Sequence, residues 1–132
     1  DVYKRQGGTV STTNSVFTKD AYDPRWRNFT ARLIKQSNAT IVPIYFYGQN
    51  SRLFHIASHI SQTLRSALLF HEVRRRINTS VPLIIGDPIE FSSLDKDITN
   101  DQLSDYLRLI TYKLNPVYKN VNIPFGKDFP EF

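Results

Sequence analysis

Cysteine and methionine are both absent from this 132-residue chain. Without cysteine there is no disulfide scaffold, no thiolate metal site and no cysteine nucleophile. Without methionine the sequence holds no translation start of its own, and we read it as a processed product or a fragment of a longer chain. Long hydrophobic runs are lacking too. No apolar stretch approaches the ~20 residues that a membrane-spanning helix needs, and the first residues do not have the layout of a signal peptide. Any membrane contact is therefore expected to be peripheral, or made by residues outside this sequence. The GxSxG elbow, the GxGxxG fingerprint and the P-loop are also missing, and with them the best-marked signals of serine-hydrolase, dinucleotide and nucleotide-phosphate sites.

What remains has the balance of one modest globular domain. With 40% hydrophobic and 22% charged residues the chain is too apolar to stay disordered. It is too short for two well-buried domains. The formal net charge is +5. An excess of this size fits nucleic acid, an anionic membrane surface or a phosphorylated substrate, and does not choose among them. Residues 1–6 (DVYKRQ) look like a translated sequencing-adapter tail, and we set them apart from the fold as a non-native leader. We expect the domain to occupy residues 7–115, with 116–132 an extended tail.

Residues 40–53 (TIVPIYFYGQNSRL) carry the strongest pattern. An apolar run containing Pro43 leads straight into a polar turn. Such a run does not alternate, which predicts a strand buried on both faces, as in a parallel sheet covered by helices. The polar turn then falls at the carboxyl end of the strand, where open α/β sheets place ligands. Around this strand the residues 7–19 read as a loop. Asp23-Pro24 reads as a helix start, with Trp26, Phe29, Thr30, Leu33 and Ile34 on the apolar side and Asn38 as the stop. Helical spacing returns over 53–77 with a break near 58–63; Leu64, Ala67, Leu68 and His71 form its stripe, widened by Leu69, Phe70, Val73 and Ile77. Glu72 and Arg76, four apart, can pair. Residues 81–85 read as a second strand starting late because of Pro82. Thr99 and Gln102 form a capping box for a last helix with Leu103, Tyr106, Leu107, Ile110 and Leu114 on one stripe, ended by Pro116.

Few side chains announce chemistry. His55 and His59 share a helix face and could begin a zinc site, but no third ligand accompanies them, and we expect no metal. Asn28, Asn38 and Asn78 head glycosylation sequons that matter only in a secretory compartment. Leu68, Leu69 and Phe70 followed by Arg74, Arg75 and Arg76 fit a helix lying on an anionic membrane surface. The same three arginines equally fit a solvated helix end whose charge complements the helix dipole. No helix-turn-helix, RNP or zinc-finger pattern supports nucleic acid. The loop GGTVST (residues 7–12) could cradle an anion or substrate through its backbone and hydroxyls.

Taken in order, GGTVST, DPRWRNFTARLI, ATIVPIYFYGQNSRLFHIASHISQTLRSALLFHEVRRRI and VPLIIGDPI resemble the carboxyl-terminal half of a bacterial lysophospholipid or glycerolipid acyltransferase. The nearest branch is the hemolysin-like and ornithine-lipid-like acyltransferases, and the resemblance runs over about residues 7–89. It implies a partial glycerolipid-acyltransferase α/β fold, mostly parallel sheet flanked by helices and truncated at its amino terminus. In that family a His-x-x-x-x-Asp motif supplies the general base that activates the acceptor for attack on an acyl thioester. Five residues beyond His55, His59 and His71 stand Ile60, Leu64 and Arg76. The chain therefore lacks the catalytic pair and is expected to be inactive alone.

The resemblance also implies an acceptor site. Gly7, Gly8, Thr9 and Ser11 match the family's Glu-Gly-Thr-Arg-Ser block in part, with Gly7 in place of the acid and Val10 in place of the arginine that binds an acceptor phosphate. Val10 therefore favours a lysolipid such as lyso-ornithine lipid over glycerol 3-phosphate. Pro43 matches the proline of the next block, and Asn50 and Arg52 fit the turn that follows it. The implied partners are acyl-CoA or acyl-carrier protein as co-substrate, a lysolipid acceptor and the cytoplasmic face of the bacterial inner membrane. No cofactor and no nucleic acid are implied. The rival reading is a non-catalytic basic module that binds nucleic acid or an anionic surface.

Overall fold

The computed structural model describes residues 11–13, 17 and 20–126. In chain order its elements are β1 (Thr12–Thr13), β2 (Ala21–Tyr22), α1 (Asn28–Ser37), β3 (Thr40–Ile41), β4 (Ile44–Phe46), α2 (Arg52–Ile60), α3 (Gln62–Arg76), β5 (Leu83–Ile85), β6 (Ile89–Glu90) and α4 (Asn100–Lys113), with 3-10 turns at Phe91–Ser93 and Pro116–Tyr118. They divide into two compact units. Arg25–Tyr45 and Leu83–Ile123 form the first; Phe46–Pro82 and the described residues of Thr9–Pro24 and Pro124–Phe132 form the second.

In the first unit α1 packs on α4. Ala31, Ile34, Leu103 and Leu107 form the core, with Trp26 and Ile110 packed against it. Phe29 and Leu33, assigned to this stripe by spacing, are half exposed. The helix also starts at Asn28 and not at Asp23-Pro24, and Arg27 caps it with no side-chain bond. The Asp23 carboxylate takes the Ser11 hydroxyl instead. The start of α1 is held from α4: Asn28 Nδ2 donates to Asp101 Oδ1 at 2.8 Å, and Arg25 grips Asp105 with Nε at 3.2 Å and Nη2 at 2.9 Å. The α4 capping box forms as read, with Gln102 N–H donating to Thr99 Oγ1 at 3.2 Å and Thr99 N–H to Gln102 Oε1 at 2.9 Å.

The sheet is where expectation and structure part. A mostly parallel sheet was expected around residues 40–47, but β3 pairs antiparallel with β6, Thr40 opposite Glu90 and Ile41 opposite Ile89. β4 pairs with β5, and the hydrogen bonds flanking this pair, Gly86 N–H to Pro43 O and Tyr47 N–H to Pro82 O, both 2.9 Å, also run in the antiparallel sense. Pro43 is the reason for two short strands in place of one. It has no N–H to give a ladder, so the apolar run stops at Ile41 and resumes at Ile44. Nor is the run buried on both faces. Ile44, Phe46, Leu83 and Ile85 stay substantially exposed, whereas Tyr45 turns to the other face and meets Tyr112 and Tyr118 edge-to-face, with centroids 5.9 and 6.3 Å apart. Alternation of this kind marks an antiparallel ribbon with one face covered. Gly86 permits the close approach behind it: a Cβ there would lie 2.9 Å from Pro43 Cγ and 2.8 Å from Leu114 Cδ2. The tail after Pro116 is not wholly extended, since Tyr118 joins the tyrosine group and Ile123 is buried.

In the second unit α2 and α3 form a helical hairpin. Ser61 makes the break, donating its N–H back to Ala57 O at 3.0 Å and capping α3 with its hydroxyl. Phe54 and Ala57 are buried on α2. β1 pairs antiparallel with β2, Thr12 opposite Tyr22, and lies against α2. The apolar stripe assigned to α3 is not a core stripe. Glu72 is its one buried residue, while Phe70, Val73 and Ile77 are 81%, 58% and 62% exposed.

Candidate functional site

The polar turn at residues 48–51 is built from the second unit alone. Gly48 adopts φ +110°, a conformation that L side chains rarely take. It lets the Arg76 guanidinium lie close over the turn, because a Cβ on Gly48 would stand 3.0 Å from Arg76 Nη1. Arg76 Nη2 donates to Gln49 O at 2.7 Å. One helical turn earlier, Glu72 receives both donors of Ser51: the N–H on Oε2 at 3.1 Å and the hydroxyl on Oε1 at 2.5 Å. Ser51 is also the N-cap of α2, its Oγ accepting from Phe54 N–H at 3.3 Å. Glu72 and Arg76, which by spacing could pair with each other, each grip the turn instead. Burial works against ionising Glu72, yet the Ser51 hydrogen bonds, with Arg75 and His71, outweigh it and hold its pKa below the ordinary carboxylate value.

The turn is tied to the loop before it. Gln49 Oε1 accepts from Ala21 N–H on β2 at 3.1 Å. On the paired strand, Thr13 O accepts from His59 Nε2 at 2.8 Å, which places the ring proton on that nitrogen. Ser11 is held by the Asp23 carboxylate. His55, on the same helix as His59, is 3% exposed, and neither ring nitrogen finds a hydrogen-bond partner among the described residues. Burial lowers its pKa, with His59 and Arg65 acting in the same direction against the Asn50 backbone and Glu72. The direction of these effects favours the neutral imidazole at pH 7. Among the described residues no group of three or more His, Asp or Glu side chains gathers to hold a metal ion.

The residues singled out in the sequence thus separate. Ser11, Asn50 and Arg52 belong to the second unit and Pro43 to the first. Pro43 is buried and packs against the region of Gly86, while Arg52 is exposed at the first position of α2. Gly7, Gly8, Thr9 and Val10 lie outside the described residues. Of the expected membrane residues, Leu68 and Leu69 are half-buried, Phe70, Arg74, Arg75 and Arg76 are exposed, and Arg76 is committed to the turn. In the sequence Glu72 stood only as a possible partner of Arg76 and His59 only as a possible zinc ligand with His55, and Gln49 was given no role of its own. The one signal pointing to Glu72 was an acid set within the apolar spacing of α3.

A polar cleft opens beside this turn, with a volume of about 350 Å³, lined by Gln49, Ser51, Glu72, Arg75, Arg76, Thr79 and Ser80. It offers charge and hydrogen bonds, without a nucleophile–base pair: it can hold a polar group but not by itself transform one. Comparison with known proteins relates the chain to lipid O-acyltransferases. It is 26% identical over 117 residues to a lyso-glycine lipid O-acyltransferase of Phocaeicola vulgatus, covering 84% of this chain and 38% of that protein. It is 26% identical over 98 residues to a lyso-glycine lipid O-acyltransferase of Bacteroides thetaiotaomicron, covering 70% of this chain and 36% of that one. The chain therefore spans less than two-fifths of the length of these curated relatives. No family model matches it, and no solved structure does.

Proposed function

We propose that the chain is part of a membrane-associated acyltransferase that moves a fatty acyl group from acyl-CoA or acyl-carrier protein to the hydroxyl of a lyso-amino-acid lipid. The similarity to two lyso-glycine lipid O-acyltransferases, extending over 84% and 70% of the chain, carries this reading. In such a transfer a general base takes the acceptor proton as its oxygen attacks the thioester carbonyl, and the thiol of the donor leaves. None of the three histidines here stands five residues before an aspartate, so the base is assigned elsewhere in the enzyme. This chain contributes acceptor binding and surface docking.

The docking element is the outer side of α3. Phe70, Val73, Arg74 and Ile77 recur at helical spacing and are all exposed. An exposed apolar stripe with a cation beside it suits the anionic cytoplasmic leaflet of the bacterial inner membrane. Among the described residues no helix is long and apolar enough to cross a membrane, which leaves a peripheral mode for this part of the enzyme.

The test is to express the complete reading frame that encodes the chain in a host without lysolipid O-acyltransferase activity and to follow the lipids by mass spectrometry. Addition of one acyl group to a lyso-glycine or other lyso-amino-acid lipid is the expected result. A clear preference for glycerol 3-phosphate over every lysolipid would sink the proposed acceptor class.

A further inference from the structure

We propose that the cleft beside the 48–51 turn is the subsite for the acceptor's carboxylate, the free acid of an amino-acid-type lysolipid; the choice of lipid rests on the function proposed above. Glycine joined to a fatty acid through its nitrogen keeps such a carboxylate. The site has the donors to hold one. Arg76 spends a single N–H on Gln49 O, and a guanidinium carries five. Arg75 stands 3.9 Å from Glu72, beyond hydrogen-bond reach, so its own planar fork is available to a ligand. Ser80 also lines the cleft, and its hydroxyl makes no hydrogen bond among the described residues.

Charge selects the kind of anion. Arg75 and Arg76 bring two positive charges to the cleft, and Glu72 brings one negative charge already saturated by Ser51. The balance is a single positive charge, which one carboxylate neutralises. A phosphate monoester would bring a second negative charge into a cleft that already holds Glu72. The turn holds the arginines in place, since Arg76 is clamped over Gly48 and Glu72 sits one helical turn away from it. Arg74 does not line the cleft. The three consecutive arginines therefore divide, Arg75 and Arg76 to the ligand and Arg74 to the outer side of the helix.

The 132-residue chain is titrated, below micelle-forming concentration, with N-octanoylglycine, its methyl ester, octyl phosphate and acetate, and binding is read from the arginine side-chain resonances by NMR. The expected result is that N-octanoylglycine binds at Arg75 and Arg76. The ester should bind about tenfold more weakly, as loss of one charge-assisted contact implies. Arg75→Gln, a change at an exposed side chain that leaves the Ser51 hydrogen bonds to Glu72 in place, should weaken N-octanoylglycine by a similar factor, and Arg74→Gln should leave it unchanged. Equal binding of the ester, or an unaltered affinity in Arg75→Gln, overturns the subsite. Tighter binding of octyl phosphate overturns the carboxylate preference, and acetate binding as tightly as N-octanoylglycine overturns the lipid source. In the complete enzyme Arg75→Gln should raise KM for the carboxylate acceptor and spare kcat. An unchanged KM with acyl transfer intact rejects the subsite and leaves the acyltransferase reading standing. Absence of acyl transfer in the unsubstituted enzyme rejects that reading, and the titration of the chain still decides the cleft.

Discussion

Glu72 and His55 are two buried ionisable side chains of one helical hairpin, and they answer to acid in different windows. The Glu72 carboxylate is held charged by Ser51, so its pKa in the fold lies below the 4.5 of an unperturbed carboxyl. Its contribution is present above pH 4.5 and is lost as the pH falls through the lower folded value. His55 is held neutral by burial, with its pKa below 6.5. The unfolded chain then binds a proton before the folded one does, so stability declines as the pH falls from 6.5 towards the folded value and changes no further from this group below it. Thermal melts across pH 3 to 8 should separate the two. His55→Phe should flatten the decline that begins just below pH 6.5 and cause little loss at pH 7, because one buried aromatic ring replaces another of similar shape. Glu72→Gln should leave that decline intact and flatten the one below pH 4.5. If His55→Phe leaves the profile unaltered, the imidazole is not held neutral by the fold. Neither role was legible from residue type: a histidine four before another histidine and a glutamate four before an arginine look like helix surface until the turn that meets them is in place.

At the scale of elements, what was legible was what local chemistry decides. The capping box of Thr99 and Gln102 specified the start of α4 without help from elsewhere, and Ser61 fell inside the predicted break between α2 and α3. Thr99→Ala should therefore cost about 1 kcal/mol, seen as a lower urea midpoint with an unchanged slope; no loss would mean that packing on α1 alone sets that end. α1 was misplaced because its start is decided by Asp101 and Asp105, more than seventy residues away in sequence, and a local reading has no access to them. The sheet was misread for a related reason. A run of apolar residues is the same string whether both faces are covered or only one, and Pro43 carried the information that the run would break. The turn at residues 48–51 was singled out on the strength of a parallel strand that the described residues do not contain.

For the whole molecule, the proposal that α3 meets the membrane makes its outer side separable from its inner one. Arg74→Glu combined with Phe70→Ser should reduce co-sedimentation of the chain with vesicles rich in anionic phospholipid by more than tenfold, since the ~1 kcal/mol of the lost cation alone is about fivefold and the new anion and the lost aromatic add to it. Arg75→Gln should produce a much smaller change, and equal losses from the two would show that the helix presents undivided positive charge. The nested strand pairing bears on how the molecule assembles. Between Ile41 opposite Ile89 and Pro43 bonded to Gly86, one strand advances two residues and the other three, the count of a single-residue bulge. β3–β6 and β4–β5 are thus successive rungs of one interrupted ladder. Its innermost rung, Tyr47 to Pro82, encloses the segment that carries both α2 and α3. Once that segment has folded and brought its own ends together, most of the loop-closure entropy for the outer rungs has already been spent. The order of zipping then runs outward from the helical hairpin, so a mutation that loosens α2 against α3 should slow the pairing of the strands that flank it in sequence.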